Sequence, residues 1–346
     1  MRLTWHRSRN AFLLSLVLFC ACETVASIAL AASSTAKPLK IALILGGRVN
    51  EPGYYNAGYQ ALLSLKQKYG AEIAYEENLK PSDADQVLRA LAEDGFRYVV
   101  VMGGGTYDDF IRDVAADYPA LRFIIISGGL TQLPNIVSIR TGHPGVPYLA
   151  GVLMAEMSKS QKIGLIGGRA SPPAMADHVA VIAGAKSICP QIQIYDAYTE
   201  NYDDPAIGKE AALAQIDKGA DIIFANANTT SFGVFQAAHE RGILAIGAAT
   251  DQNSIAPETI LSSAVYGMDN GVSYLIDLDR TGRGWENKVY TMDLTLVDLA
   301  SFHSFDSRVP AQVKQKLADV RRELIAGTIV IPRTYDELHL SAPSHK

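Results

Sequence analysis

The residues with chemical reach lie mostly in short polar stretches that follow apolar runs. These are Gly46–Asn56, Gly103–Thr106, Ser127–Leu130, Gly167–Pro173, Asn226–Ser231 and Ala248–Gln252. They are rich in Gly, Ser, Thr and Asn, with tyrosines close by. Such loops supply backbone N–H groups, amides and aromatic faces, the groups that hold a neutral polar ligand. Paired nucleophiles and bases are scarce. No Gly-x-Ser-x-Gly elbow and no His-Glu-x-x-His occurs, and the seven histidines lack metal-ligand spacing. His178 and His239 fall in helical stretches, where packing is the plain reading, because a general base needs a partner within hydrogen-bond reach. Cys189 precedes Pro190 with no activating base beside it. Gly103-Gly104-Gly105-Thr106 has the look of a phosphate cradle. It is neither Gly-x-Gly-x-x-Gly nor followed by Lys-Ser/Thr, so a tight strand-to-helix turn is expected. The chemistry predicted is recognition without catalysis, with no cofactor and no metal.

Those loops must be held by the elements around them. The runs Ile41–Leu45, Tyr98–Met102, Phe123–Ile126, Ile163–Ile166, Ile222–Phe224 and Leu244–Ile246 are continuous and β-branched rather than alternating. Strands buried on both faces read this way, which predicts parallel sheets covered by helices. Between them lie helices with end signals. Ser82 with Asp85 resembles a capping box, Ala84, Val87, Leu88 and Leu91 form an inward face, and Gly95 closes the helix. Asp204 caps another, with Pro205 first and Gly219 last. Alternating strand and helix gives an open doubly wound fold. A shift of 124 residues lays Pro81 on Pro205, Gly95 on Gly219, Tyr98–Met102 on Ile222–Asn226 and Thr106 on Thr230. Two copies of one unit, or shared βαβ grammar, would each give two similar lobes, broken near Thr141–Pro147. In open parallel sheets, ligands bind beyond the carboxyl ends of the strands, which is where the polar stretches fall.

The chain of 346 residues suits two domains better than one. Residues 1–31 read as a signal peptide: Arg2, Arg7 and Arg9, an apolar run Ala11–Cys22, then Ala29-Leu30-Ala31. The run is shorter than the roughly 20 residues that span a bilayer. A mature chain beginning near Ala32, outside the cytoplasmic membrane, is expected. Without residues 1–31 the net charge moves from −5 to −7, with 28 basic against 35 acidic residues, so no footprint for nucleic acid exists. Only Cys189 of three cysteines then remains, which excludes an internal disulfide. A lipid anchor would have to use Cys22, since Cys20 follows Phe19.

The segments Asn50–Tyr59, Tyr148–Leu153, Lys162–Gly168, Tyr202–Lys209, Gly233–Ala238 and Asp251-Gln252 with Ala256-Pro257 occur in a characteristic order. In this the chain resembles the basic membrane protein family of ABC-importer substrate-binding proteins, which includes a purine nucleoside receptor. The similarity runs from about Lys40 to Gly327. It implies a type I periplasmic-binding-protein fold: two Rossmann-like lobes with parallel sheets, joined by a three-crossing hinge near Thr141–Gly145, Tyr266–Asp269 and Asp293–Ser301. The N-terminal lobe would take residues 38–141 and about 269–293, the C-terminal lobe 145–266 and about 300–332, with 333–346 as a tail. The resemblance implies a monomer in the periplasm that hands a small-molecule ligand to a membrane permease. It also implies that Tyr55 and Tyr202 sandwich a purine ring, with Asn56 at the ring edge.

Around the two tyrosines, Gly104, Thr106, Ser127, Asn228, Asp251 and Tyr266 complete the expected site. The family often carries acidic residues after the first strand, after the Phe123–Ile126 strand and at the opening of the Ala248–Asp251 loop. Here Leu45-Gly46, Ser127 and Ala249 stand there, and Tyr266 replaces a lysine. Charge-assisted hydrogen bonds discriminate most strongly between ligands. Their loss predicts a flat purine-like ring or related heterocycle, as a nucleoside, a nucleobase or another compound, held without full recognition of a ribose. The competing classes are a Rossmann-type enzyme acting on nucleosides, which lacks its fingerprints, and the effector domain of a transcription regulator. The latter needs a DNA-binding helix pair where the signal peptide is expected.

Overall fold

The computed structural model describes residues 38–50, 53–103 and 105–343. The predicted signal peptide, with its cleavage site and Cys22, lies outside the described residues. Strand β1 (Lys40–Leu45), helix α1 (Tyr54–Tyr69), β2 (Glu72–Glu76), α2 (Ala84–Glu93), β3 (Tyr98–Met102), α3 (Asp108–Asp117), β4 (Arg122–Ile126) and β5 (Ile136–Arg140) come first. The second series is α4 (Gly145–Met157), β6 (Lys162–Gly167), α5 (Pro172–Ile188), β7 (Gln193–Tyr198), α6 (Pro205–Asp217), β8 (Ile222–Asn226), α7 (Ser231–Glu240), β9 (Leu244–Ala249) and β10 (Ile260–Val265). Helix α8 (Met268–Arg280), β11 (Tyr290–Thr291) and α9 (Ala311–Ile325) follow.

Two sheets result. The six-stranded sheet has the order β11-β5-β4-β3-β1-β2 and the five-stranded sheet the order β10-β9-β8-β6-β7. Every pairing of these strands is parallel. Apart from β11, the second sheet repeats the order of the first. The interior strands β1, β3 and β4 are buried almost throughout, as their unbroken apolar runs require. The edge strands β2 and β7 are half-exposed and carry Glu, Tyr, Gln and Asp, which is why they lack the apolar run that marks the others.

Of the two helices whose ends the sequence marks, one follows that local chemistry. Asp204 accepts a hydrogen bond from the Ala206 N–H at 2.8 Å, Pro205 starts α6, and Gly219 beyond its end has φ of 99°. The expected capping box at Ser82 does not form. Residues 81–83 make a 3₁₀ turn, the Ser82 hydroxyl donates to Asp83, and Asp85 pairs with Arg89 instead. Arg89, one turn further along α2 and also bound to Asp117, competes for the acidic side chain.

The chain passes between the two sheets three times. After β5 it enters α4, which packs on α5, β8 and β10 of the second sheet. After β10 it returns as α8 against α1 and β4, and β11 joins β5. It then comes back as α9 on α4. Residues 145–154 of α4 are all buried, as expected of a helix apolar on every side.

Candidate functional site

Both sheets point their carboxyl ends at one cavity of about 590 Å³, within the usual size of small-molecule sites. In each sheet the strand order reverses between β1 and β3 or between β6 and β8, the switch point where ligands bind in open α/β sheets. The first half contributes Gly53, Tyr54, Tyr55 and Ser127 to the lining. The second contributes Arg169, Asp177, Tyr202, Asn226, Asn228, Ala249, Gln252 and Tyr266 among others.

Tyr55 and Tyr202 come from opposite halves, and each ring rests on a glycine just beyond a central strand. A Cβ on Gly47, after β1, would fall 2.2 Å from the Tyr55 ring. A Cβ on Gly168, after β6, would fall 2.0 Å from the Tyr202 ring. Any side chain there would push a ring out of place. The Arg169 guanidinium lies 6.0 Å from the centre of the Tyr202 ring, and Tyr54 meets Tyr55 edge-on at 5.5 Å.

Three non-glycine residues of the lining, Ser127, Asn228 and Ala249, have φ of 58°, 51° and 72°. Left-handed backbone is costly for such residues and collects at binding sites, where the surrounding fold enforces it. Asn228 also spans the cleft. Its Oδ1 accepts from the Tyr54 N–H at 3.1 Å, capping α1 from the opposite half, since Gly53 offers no side chain to do so. Gly53 itself has φ of 147°, and a Cβ there would sit 1.6 Å from Asn228 Oδ1. Asn228→Ala should remove this contact and weaken ligand binding by about 2–10-fold, the net worth of one hydrogen bond. Calorimetry would measure it, and unchanged affinity would show that the contact plays no part in closure.

The innermost polar wall is built on Asp177, which was not foreseen from the sequence. Asp177, on α5, receives the Asn226 Nδ2 at 3.0 Å and the Tyr266 hydroxyl at 3.1 Å, both on Oδ2. Burial pushes the Asp177 carboxyl up to about 6, against the opposing pull of Tyr266, His178 and Asn226. Burial, and then the Asp177 charge, hold the Tyr266 phenol well above its ordinary range. A signal did exist: a lone acid in an apolar helix is rare unless it is paired or functional.

The other expected residues divide. Tyr55, Ser127, Tyr202, Asn228 and Tyr266 all line the cavity. Asn56 is not among the lining residues; its amide donates to the Val49 carbonyl at 2.6 Å and holds the preceding loop. Thr106 is exposed beyond β3. Asp251 is also absent from the lining, with Oδ2 paired to His303 Nε2 at 2.6 Å and Oδ1 accepting from the Asn253 N–H. Gly104 lies outside the described residues. Ala249 lines the cavity without an acceptor side chain.

A nucleophile–base pair is not among the lining residues. His178 is fully buried, stacked 4.7 Å from Tyr198 and bound to Asp196 Oδ1 at 2.6 Å, so it has no access to solvent. His239 meets Thr259 at 3.1 Å. Among the described residues, no helix is long and apolar enough to cross a membrane.

Two doubly wound halves, opened toward each other on an aromatic cavity, define a solute-binding protein. A family model described as ABC transporter substrate-binding protein PnrA-like matches residues 39–334, and the chain belongs to this family. It is 29% identical over 315 residues to a purine-binding protein of Brucella abortus, covering 88% of this chain and 87% of that one. It is 24% identical over 284 residues to a transcriptional activator protein of Bacillus subtilis, covering 80% and 87%. Its fold matches that of an ABC transporter solute-binding protein from Conexibacter woesei with a TM-score of 0.73 at 24% identity, covering 85% and 99%.

Proposed function

We propose that this protein captures a purine base, a purine nucleoside or a related flat heterocycle between Tyr55 and Tyr202 and delivers it to an ABC permease. The observation that carries the proposal is the placement of these two rings. Each comes from a different half, each is seated on a glycine at a strand end, and both line one cavity. Offset or edge contacts between aromatic faces and a flat ring are worth about 0.5–1.5 kcal/mol each beyond burial. A ligand held by both halves draws them together, so binding and hinge closure are one event. The similarity to a purine-binding protein supports the same ligand class.

Calorimetry with guanosine, adenosine, adenine and a simple sugar tests the ligand class. Tight binding of at least one purine compound is expected. Sugar binding that survives Tyr202→Ala would overturn it. Mass spectrometry of the small molecule that copurifies with native protein checks the same point independently. Export is part of the proposal, and N-terminal sequencing should find a mature chain beginning near Ala32; intact Met1 on cytoplasmic protein would refute it. The similarity to a transcriptional activator supplies a second reading. Sequence-specific DNA binding by the full chain, modulated by a purine, would favour that reading over transport.

A further inference from the structure

We infer that Asp177 selects the ligand by receiving a hydrogen-bond donor, an N–H or O–H, from the compound held at Tyr55 and Tyr202. The inference rests on the purine reading above and specifies its chemistry. Two donors, Asn226 Nδ2 and the Tyr266 hydroxyl, converge on one oxygen of Asp177, and no hydrogen bond reaches Oδ1 among the described residues. Asp177, Asn226 and Tyr266 all line the cavity. The Tyr266 hydroxyl lies 3.1 Å from Asp177 Oδ2 and 3.4 Å from Asn226 Oδ1, so its proton goes to the nearer, charged acceptor and its lone pairs remain. The wall therefore offers two adjacent acceptors, Asp177 Oδ1 and Tyr266 Oη, one of them charged. A carboxylate that accepts from a ligand makes the stronger, charge-assisted kind of hydrogen bond. A ligand that brought a carbonyl or a phosphate to the same place would leave both sides without a proton and add repulsion.

Ala249, on the neighbouring strand, cannot supply such an acceptor, yet its carbonyl receives the Tyr266 N–H at 3.0 Å. The missing acid is thus replaced from a different element, within reach of the same tyrosine. The donor could be a ring N–H or a ribose hydroxyl, and the two differ in what their removal does. The groups that face Asp177 are His178 on α5, Tyr198 at the end of β7, Asn226 at the end of β8, and Tyr266 after β10. His178 is in turn paired with Asp196.

The sign of the pH effect follows from the carboxyl. Buried and without ligand, it sits at about 6, above its usual 3.8. The ligand takes the ionised form, so affinity is full above this pH and falls on acidification, by at most about tenfold per pH unit. The stability that the empty protein draws from the raised carboxyl is present below 3.8 and lost as pH rises through about 6. Asp177→Asn should restore it at neutral pH.

The test is calorimetry of wild type, Asp177→Asn and Asp177→Ala with hypoxanthine, inosine and 2′,3′-dideoxyinosine, from about pH 5 to about pH 7.5, a span that brackets the carboxyl. Wild-type affinity should fall below about pH 6. Both variants should lose about tenfold or more at neutral pH and become flat with pH, consistent with losing a charged partner. Thermal melting of ligand-free Asp177→Asn at neutral pH should be no lower than that of wild type, which separates lost recognition from lost folding. Dideoxyinosine binding as weakly to wild type as inosine binds to the variants assigns the donor to the ribose. Equal losses for all three compounds assign it to the ring. Variants that keep wild-type affinity and pH dependence overturn the role of Asp177 while leaving the purine reading intact. Wild type that binds none of the three defeats the purine reading, and this inference with it.

Discussion

Gly184→Ala should lower the melting temperature by on the order of 3–5 °C, equivalent to about 2–3 kcal/mol for a chain of this size. Gly184 on α5 faces α4, and a Cβ there would lie 2.0 Å from the Tyr148 carbonyl oxygen. Gly151 on α4 is its counterpart: a Cβ would lie 2.0 Å from the Val181 carbonyl oxygen on α5. Backbone meets backbone at both points, so no rotamer change can relieve the clash. Alanine gains about 1 kcal/mol of helix propensity over glycine, but separating two buried helices costs more. Overpacking costs about 1–3 kcal/mol where side chains can yield, and here the obstacle is main chain. Gly151→Ala should act alike. The double variant should cost less than the sum, because one separation of α4 from α5 relieves both contacts. Thermal denaturation of the three variants checks this; a rise in melting temperature for either single change would mean that the helices do not cross this closely. Ligand binding per folded molecule should survive, as neither glycine lines the cavity.

Tyr202→Ala should weaken ligand binding about tenfold or more while leaving the fold in place, the loss expected when one stacking partner and its buried area are removed. Tyr55→Ala should do the same from the other half, and the pair together should approach a hundredfold if the rings act separately. The conservative change Tyr202→Phe should retain most of the affinity, because it keeps the ring that stacks. Gly168→Val offers a check that deletes no aromatic group: its side chain would occupy the place of the Tyr202 ring and displace it from the cavity wall. Calorimetry reads all five. Wild-type affinity in Tyr202→Ala would end the aromatic clamp. Loss in Gly168→Val without loss in Tyr202→Ala would place the ligand elsewhere along that strand end.

The sequence by itself determined the layered α/β architecture, because its causes are local. Unbroken β-branched runs specify strands covered on both faces, and β1, β3, β4, β6, β8 and β9 form at the runs that predict them. The pairing of Asp204, Pro205 and Gly219 sets the ends of α6 for equally local reasons. The shift of 124 residues anticipates two sheets with one strand order. The edge strands β2 and β7 were not legible, since half-exposed strands carry a mixed pattern. Tertiary structure alone decided which polar residues meet in the cavity. Asp177 and Tyr266 are 89 positions apart, and Tyr54 and Asn228 are 174 apart. Nothing in the type or spacing of such residues records that they touch. Asn56 and Asp251 carry the right groups for a site, yet nearer partners, the Val49 carbonyl and His303, claim them. Propensity and turn chemistry act over a few residues. The direction in which a side chain points into a cleft depends on how helices pack on a sheet and on how the two halves meet.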